Sequence, residues 1–179
     1  MKIASLLAML VLGFACTVSR GSDYGDQTVA RVDLERYMGK WYEIASFPAW
    51  FQRNCFCTTA EYELRGDHVW VKNSCRKGSS EGELDVATAK AFAVPGSNNS
   101  RLKVQFFWPF KGDYWIIALD DNYQYAMVGH PGKEYLWILS RTPEMSEDVY
   151  QSLVETARGK GYDITKLKRT LCADGRQAK

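Results

Sequence analysis

The sequence predicts an all-β domain of eight antiparallel strands with one α-helix on its outside. Three observations lead there. From residue 41 onward, short runs rich in β-branched and aromatic residues recur between Gly, Asn, Asp and Pro turn signals, at the spacing of an antiparallel barrel or sandwich. One stretch near the C-terminal end has a helical period instead. At the mouth of the first run stands Trp41, behind Gly39, where a glycine lets the backbone turn tightly in front of a large ring.

Residues 1–16 hold Lys2, an apolar run over 3–11 and the small residues Gly13 and Ala15, which reads as a secretory signal too short to cross a bilayer as a helix. Cuts after Ala15 or after Gly21 both suit these residues. We therefore read 1–21 as signal peptide and leader, 22–36 as a loose polar segment and 37–179 as the folded domain. Strands are expected over 41–47, 58–64, 69–73, 85–94, 101–108, 113–120, 125–128 and 135–141. In the second of these, Ala60, Tyr62 and Leu64 alternate with Glu61 and Glu63, one apolar face against one charged face. Arg65-Gly66-Asp67-His68 is its turn, and Pro95-Gly96-Ser97-Asn98-Asn99-Ser100 is a wider loop further on. Eight strands are enough to close a barrel around one small ligand. In the helix, Ser146 is placed to cap, Glu147 and Asp148 suit the positive end, Val149, Leu153, Val154 and Ala157 form the apolar stripe, and Gly159 and Gly161 stop it. The stripe is short and Arg158 and Lys160 gather at its end, so it is a core contact and not a membrane face.

With 179 residues the chain suits one domain and one sizeable core. Its net charge is only +2, with acids and bases mixed, and no basic block is interleaved with stacking aromatics, so nucleic acid is not an expected partner. The 13% of aromatic residues exceeds what a compact core needs and suits a lined cavity. Neither a Ser/His/Asp set in a nucleophile-elbow context, nor a phosphate-cradling glycine loop, nor metal-ligand spacing is present, and no cofactor is expected. His68 and His130 stand alone as turn residues. Beyond Cys16 there are four cysteines, Cys55, Cys57, Cys75 and Cys172; an even count in an exported chain favours two disulfides, with three connectivities open.

The stretches Gly39-Lys40-Trp41-Tyr42-Glu43-Ile44-Ala45, Leu119-Asp120-Asp121-Asn122-Tyr123-Gln124-Tyr125-Ala126 and Ile138-Leu139-Ser140-Arg141-Thr142-Pro143 resemble, in order and spacing, the three motifs of the lipocalin family. The likeness runs over 37–167 and is strongest to the subgroup of bacterial lipocalins, plant temperature-induced lipocalins and apolipoprotein D. It implies an up-and-down barrel with the helix packed outside, in which Gly39, Trp41, Asp120, Tyr123 and Arg141 are structural. Trp41 would plug the closed end, with Arg141 lying on its face. The resemblance also implies an exported carrier of a small lipophilic ligand, a fatty acid or lysophospholipid ahead of sterols, haem and bilins, with a link to membrane maintenance or stress. The residues ahead of Cys16 are similar to a bacterial lipoprotein cleavage site, apart from glycine at position 13, so Cys16 is a candidate for lipidation and outer-membrane anchoring. Apolipoprotein D-like chains join the start of the second strand to the C-terminal tail, which implies Cys57 with Cys172; the hairpin then brings Cys75 back to Cys55.

Parity counted from Trp41 and Arg141 gives the ligand-binding wall. Tyr135, Trp137 and Leu139 point inward, as do Ala60, Tyr62, Leu64, Val69, Val71 and Asn73. So do Leu102, Val104, Phe106, Tyr114, Ile116, Ala118, Ala126 and Val128, and Glu43 two positions after Trp41, while Trp115 points out. The inner face of the strand Ala87 to Ala93 stays unassigned. At the open end, Phe47-Pro48-Ala49-Trp50-Phe51 and Phe107-Trp108-Pro109-Phe110-Lys111 read as aromatic loop tips suited to an anionic bilayer. The competing readings are an isomerase-like barrel enzyme with a free cysteine nucleophile and a secreted module that binds proteins through its loops.

Overall fold

The computed structural model describes residues 27–172. Eight strands, β1 (Gly39–Ser46), β2 (Cys55–Arg65), β3 (His68–Lys77), β4 (Leu84–Ala93), β5 (Arg101–Phe107), β6 (Phe110–Leu119), β7 (Tyr125–Gly129) and β8 (Leu136–Ser140), each pair antiparallel with the next. β1 pairs with both β8 and β2 and closes the ring. A short helix, α1 (Leu34–Tyr37), precedes β1; a longer one, α2 (Glu147–Gly159), follows β8; and a two-residue strand, β9 (Lys168–Arg169), follows α2. The eight-stranded antiparallel barrel with an external helix is the fold expected, and β9 is an addition to it.

Strand alternation and one helical stripe divide the apolar residues into two cores. Inside the barrel lie Trp41, Tyr62, Val69, Val71, Ala89, Ala91, Leu102, Ile116, Ala126, Val128 and Leu139. Outside, Tyr150, Val154 and Ala157 of α2 cover Ile44, Trp115, Ile117, Met127, Leu136 and Ile138. Trp115 thus points away from the lumen as expected, but is buried beneath the helix. Ser146 occupies the N-cap position of α2 without a side-chain capping bond. The helix ends as its two glycines imply: Gly161 takes φ +80°, its N–H donates to the Arg158 carbonyl, and the Tyr162 N–H donates to that of Ala157.

Local pairing departs from strict alternation at several points, and some of these departures correct an expectation. In β6 the register slips between Ile116 and Ala118, so Ala118 packs against the outer core and Leu119 takes the inward place. In β1 it slips after Glu43, and Ile44 and Ala45 both join the outer core. Leu64, at the end of β2, is exposed despite its inward parity. The segment 22–36 was expected to be loose, but its described part is tied to the barrel. The Val29 N–H donates to the Ile116 carbonyl and that of Val32 to Asn98; Val32 is buried, and the Asp33 carboxylate caps α1 through the N–H groups of Glu35 and Arg36. The signal peptide and Cys16 lie outside the described residues.

The four described cysteines form Cys55–Cys75 and Cys57–Cys172, the pairings expected. β1 and β2 pair only from Gly39 to Tyr42, against Tyr62 to Thr59, and then part. The C-terminal tail fills that gap. Arg169 pairs with Ala45, the Thr170 N–H donates to the Ile44 carbonyl, and the Cys57 N–H donates to the Leu171 carbonyl. Cys57–Cys172 pins the tail there, since a bond between residues 115 apart restricts the unfolded chain far more than a local one.

Candidate functional site

The closed end is built around the Trp41 indole, which has no exposed surface. Its Nε1–H donates to the Tyr37 carbonyl at 2.9 Å, and the Arg141 guanidinium lies 3.9 Å from its ring centroid. Arg141 also donates to three carbonyls, those of Arg36 at 2.7 Å, Lys40 at 3.0 Å and Tyr123 at 3.2 Å, so one side chain ties α1, β1 and the β6–β7 turn together. Gly39 adopts φ +91°, and a Cβ there would come within 3.4 Å of the guanidinium. The Asp120 carboxylate accepts from the N–H groups of Asn122, Gln124 and Tyr125, which fixes the turn; Tyr123, at φ 59°, accepts from the Asp33 N–H through its hydroxyl.

Above this floor the lumen is apolar. Tyr62, Val71, Ile116, Ala126, Val128 and Leu139 are in the lumenal core, with Ala60, Val104, Tyr114 and Trp137 packed against it. Asn73 shares the face of Val71 and is paired with Ala60 and Ala87. The strand left unassigned by sequence turns Ala89 and Ala91 inward, so its small residues shape the lumen. Tyr37 reaches in from α1, and three phenols then form a chain: Tyr37 to Tyr114 at 2.9 Å and Tyr114 to Tyr62 at 2.9 Å. Burial pushes all three phenols up, Tyr62 to about 12 and Tyr37 and Tyr114 well above the usual range, so they stay neutral hydrogen-bonding groups. Tyr37 was not among the expected lining residues. It precedes the first strand, where parity counting has no hold.

Towards the mouth the polar groups form a second chain. The Trp137 Nε1–H donates to Gln52 Oε1 at 3.2 Å, and Gln52 Nε2 donates to Glu43. The Glu43 carboxylate also accepts from Ser46 Oγ at 2.9 Å and Thr170 Oγ1 at 2.5 Å. Burial raises the Glu43 pKa, and these donors pull against that rise. Tyr135 stacks on Trp137 with centroids 5.8 Å apart, and Phe51 tilts over both rings. Gln52 and Thr170 carry no signal in the sequence, because one comes from the β1–β2 connection and the other from the tail.

The open rim is aromatic and largely uncovered. Trp108 is 86% exposed, Phe107 79%, Phe110 77% and Trp50 72%. Phe47, expected on this loop tip, is instead buried in the outer core beside Tyr162. Phe106, expected to line the lumen, is 41% exposed, because the β5–β6 register slips between Val104 and Phe107 and the residue rises to the rim. Among the described residues no group of three or more His, Cys, Asp and Glu side chains is placed to hold a metal. His130 contacts Glu134 at 2.6 Å and His68 contacts Asp67 at 2.9 Å, both at turns. With all four described cysteines in disulfides, the free-cysteine reading has no thiolate among these residues.

Comparison with known proteins agrees with this architecture. Residues 32–171 match the family model of the lipocalin-like domain. The chain is 43% identical over 157 residues to temperature-induced lipocalin-1 of Arabidopsis thaliana, covering 83% of each sequence. It is 39% identical over 172 residues to the outer membrane lipoprotein Blc of Escherichia coli K12, covering 93% of this chain and 96% of that one. Mouse apolipoprotein D is 30% identical over 149 residues, 77% of this chain and 76% of that one. Among solved structures, insecticyanin from the tobacco hornworm Manduca sexta superposes with a TM-score of 0.67 at 21% identity, over 83% of this chain and 85% of that one. With the plugged barrel, the outer helix and a family match over most of its length, the chain belongs to the lipocalin family.

Proposed function

We propose that this protein binds and carries a small lipophilic molecule with one polar head, a fatty acid or lysophospholipid, in an exported compartment. The observation that carries this reading is the barrel's inner wall, which is apolar and has a polar chain at each end. Val71, Ala89, Val104, Ile116, Val128 and Leu139 offer an acyl chain nothing to hydrogen-bond. At the mouth, Trp137, Gln52 and Glu43 supply the few placed polar groups that orient a head in such sites. The phenol chain of Tyr37, Tyr114 and Tyr62 closes the far end without a charge.

The rim is the exchange surface in this reading. Tryptophan and phenylalanine side chains on loop tips, with Lys111 beside them, have the composition of an interfacial anchor, and a lipid handed over there need not cross water. The likeness to an outer membrane lipoprotein supports export, and Cys16 is the residue through which a lipid anchor would be attached. Native mass spectrometry of protein purified from its own source tests the proposal. A bound species at the mass of a fatty acid or lysophospholipid is expected. A ligand-free protein whose tryptophan fluorescence does not respond to either lipid would overturn it.

A further inference from the structure

A groove of about 330 Å³ lies on the outer wall, beside the seam where β1 and β2 part. Its floor is the outward row of β3, Lys72, Ser74 and Arg76, which alternates with the lumenal Val71. The tail residues Thr170 and Cys172 and the loop residue Pro143 also border it, with Tyr42 and Leu84 completing an apolar part. Helix α2 covers the other half of the barrel's outer surface, so this face is left to the groove.

The groove's charge and an unused hydroxyl point the same way. Lys40, Lys72 and Arg76 contribute three cations, and Glu61 offsets one of them through its 3.4 Å ion pair with Lys72. The other carboxylate at the groove, Glu43, is engaged by Ser46, Gln52 and Thr170. Between Lys72 and Arg76, Ser74 Oγ is buried and has no hydrogen-bond partner, alone in this among the described side-chain atoms. A shielded hydroxyl without a partner costs free energy that an acceptor placed beside it returns. Residues two apart on a strand stand roughly 7 Å apart, so an anion at Ser74 is within reach of both flanking cations. The exposed Leu84 side chain, the Tyr42 ring and Pro143 would hold an apolar stem. The volume falls at the lower end of small-molecule sites, roughly 300–1,000 Å³.

We propose that this groove is a second ligand site, outside the lumen, for a small anion with an apolar stem, namely an aromatic or short-chain phosphate monoester or carboxylate. Lys72, Arg76 and the Ser74 hydroxyl bind the anionic head, and Tyr42 and Leu84 hold the stem. The site lies on the outer side of the wall, with Glu43 bordering both it and the lumenal mouth.

The test is a heteronuclear NMR titration of the disulfide-bonded chain with phenyl phosphate, run in parallel with inorganic phosphate and with anionic phospholipid vesicles. Saturable shifts are expected at the amides of Tyr42, Lys72, Ser74 and Arg76. Arg76→Gln should weaken binding at least fivefold and Ser74→Ala about threefold, while the lumenal variant Tyr114→Phe, whose hydroxyl partners Tyr37 and Tyr62 lie away from the groove, leaves it unchanged. Lys72→Gln serves in place of Arg76→Gln if that variant melts early. Shifts confined to lumenal residues, or full affinity in the groove variants, would overturn the site. Equal affinity for inorganic phosphate would overturn the role of the stem. Shifts at these amides with vesicles but not with phenyl phosphate would transfer the groove to a membrane headgroup and overturn the soluble-anion class.

Discussion

Arg141 covers the face of Trp41 at 3.9 Å while donating to three backbone carbonyls from separate segments. The contact therefore combines ring stacking with the fastening of α1, β1 and the β6–β7 turn. Trp41→Ala should lower stability by about 3–5 kcal/mol, the range for truncating a large buried aromatic. Arg141→Lys keeps the charge but cannot serve three carbonyls from one plane, and should also destabilise. Urea midpoints of both variants check this. Midpoints equal to the wild type's would mean that the closed end is not held by this pair.

Trp137 joins the lumen to Gln52, so Trp137→Ala should weaken binding of a fatty-acid probe and reduce the quenching it causes. Trp115 is an unsuitable control because it is buried under α2 and its truncation would loosen the outer core. Trp50→Ser is the better one, since that ring is mostly exposed. Equal losses of affinity in Trp137→Ala and Trp50→Ser would count against the lumenal site.

The rim prediction concerns Trp50 and Trp108. The protein without a lipid anchor should co-sediment weakly with anionic vesicles, and less so as salt rises, because Lys111 contributes a screened attraction. Trp50→Ser with Trp108→Ser should abolish sedimentation while leaving affinity for free fatty acid nearly intact. Unchanged sedimentation would remove these rings from the membrane contact.

The Glu43 carboxyl has a raised pKa in the folded protein, chiefly through burial. The folded state therefore retains this proton at a pH where the unfolded chain has released it. Glu43 thus favours folding below the unfolded carboxyl pKa, and that contribution is lost as pH rises through the folded value. Glu43→Gln cannot titrate. The stability of the wild type relative to this variant should fall as pH rises above the ordinary carboxyl range, about 4, as read from urea midpoints at each pH. A difference that stays constant would mean the carboxyl titrates normally.

The phenol chain sets an alkaline limit of the same sign. Tyr37, Tyr62 and Tyr114 hold their protons above the ordinary tyrosine value, so their contribution to stability is lost as pH climbs beyond about 10. Absorbance titration should show these three phenols, together with Tyr162, which burial also pushes up to about 12, ionising above the ordinary tyrosine range. Tyr114→Phe removes the central hydroxyl, leaves two phenols without that partner, and should cost about 1–3 kcal/mol. Normal ionisation of every tyrosine in the folded protein would exclude the buried chain.

Alternation, anchored on the roles the family resemblance implies for Trp41 and Arg141, placed Tyr62, Val71, Ile116, Ala126, Val128 and Leu139 in the lumenal core, because a strand has a period of two and each of these lies on an unbroken count. It was also enough to locate the helix, since the stripe through Val154 and Ala157 has no other period. The count failed at Ala118 and Phe106, where the pairing slips. A bulge is a relation between two strands and leaves no mark in the sequence of one.

The sequence by itself thus determined the strands, the helix and which residues share a face, all properties of local period, while the closed barrel and its Trp41–Arg141 plug were implied by the family resemblance. Only the tertiary structure decided how the wall is completed. The tail enters the gap between β1 and β2, Thr170 meets Glu43 across 127 positions, and Tyr37 reaches Tyr114 across 77. Such contacts form because closing the barrel brings distant segments to one place, and no local pattern encodes that geometry.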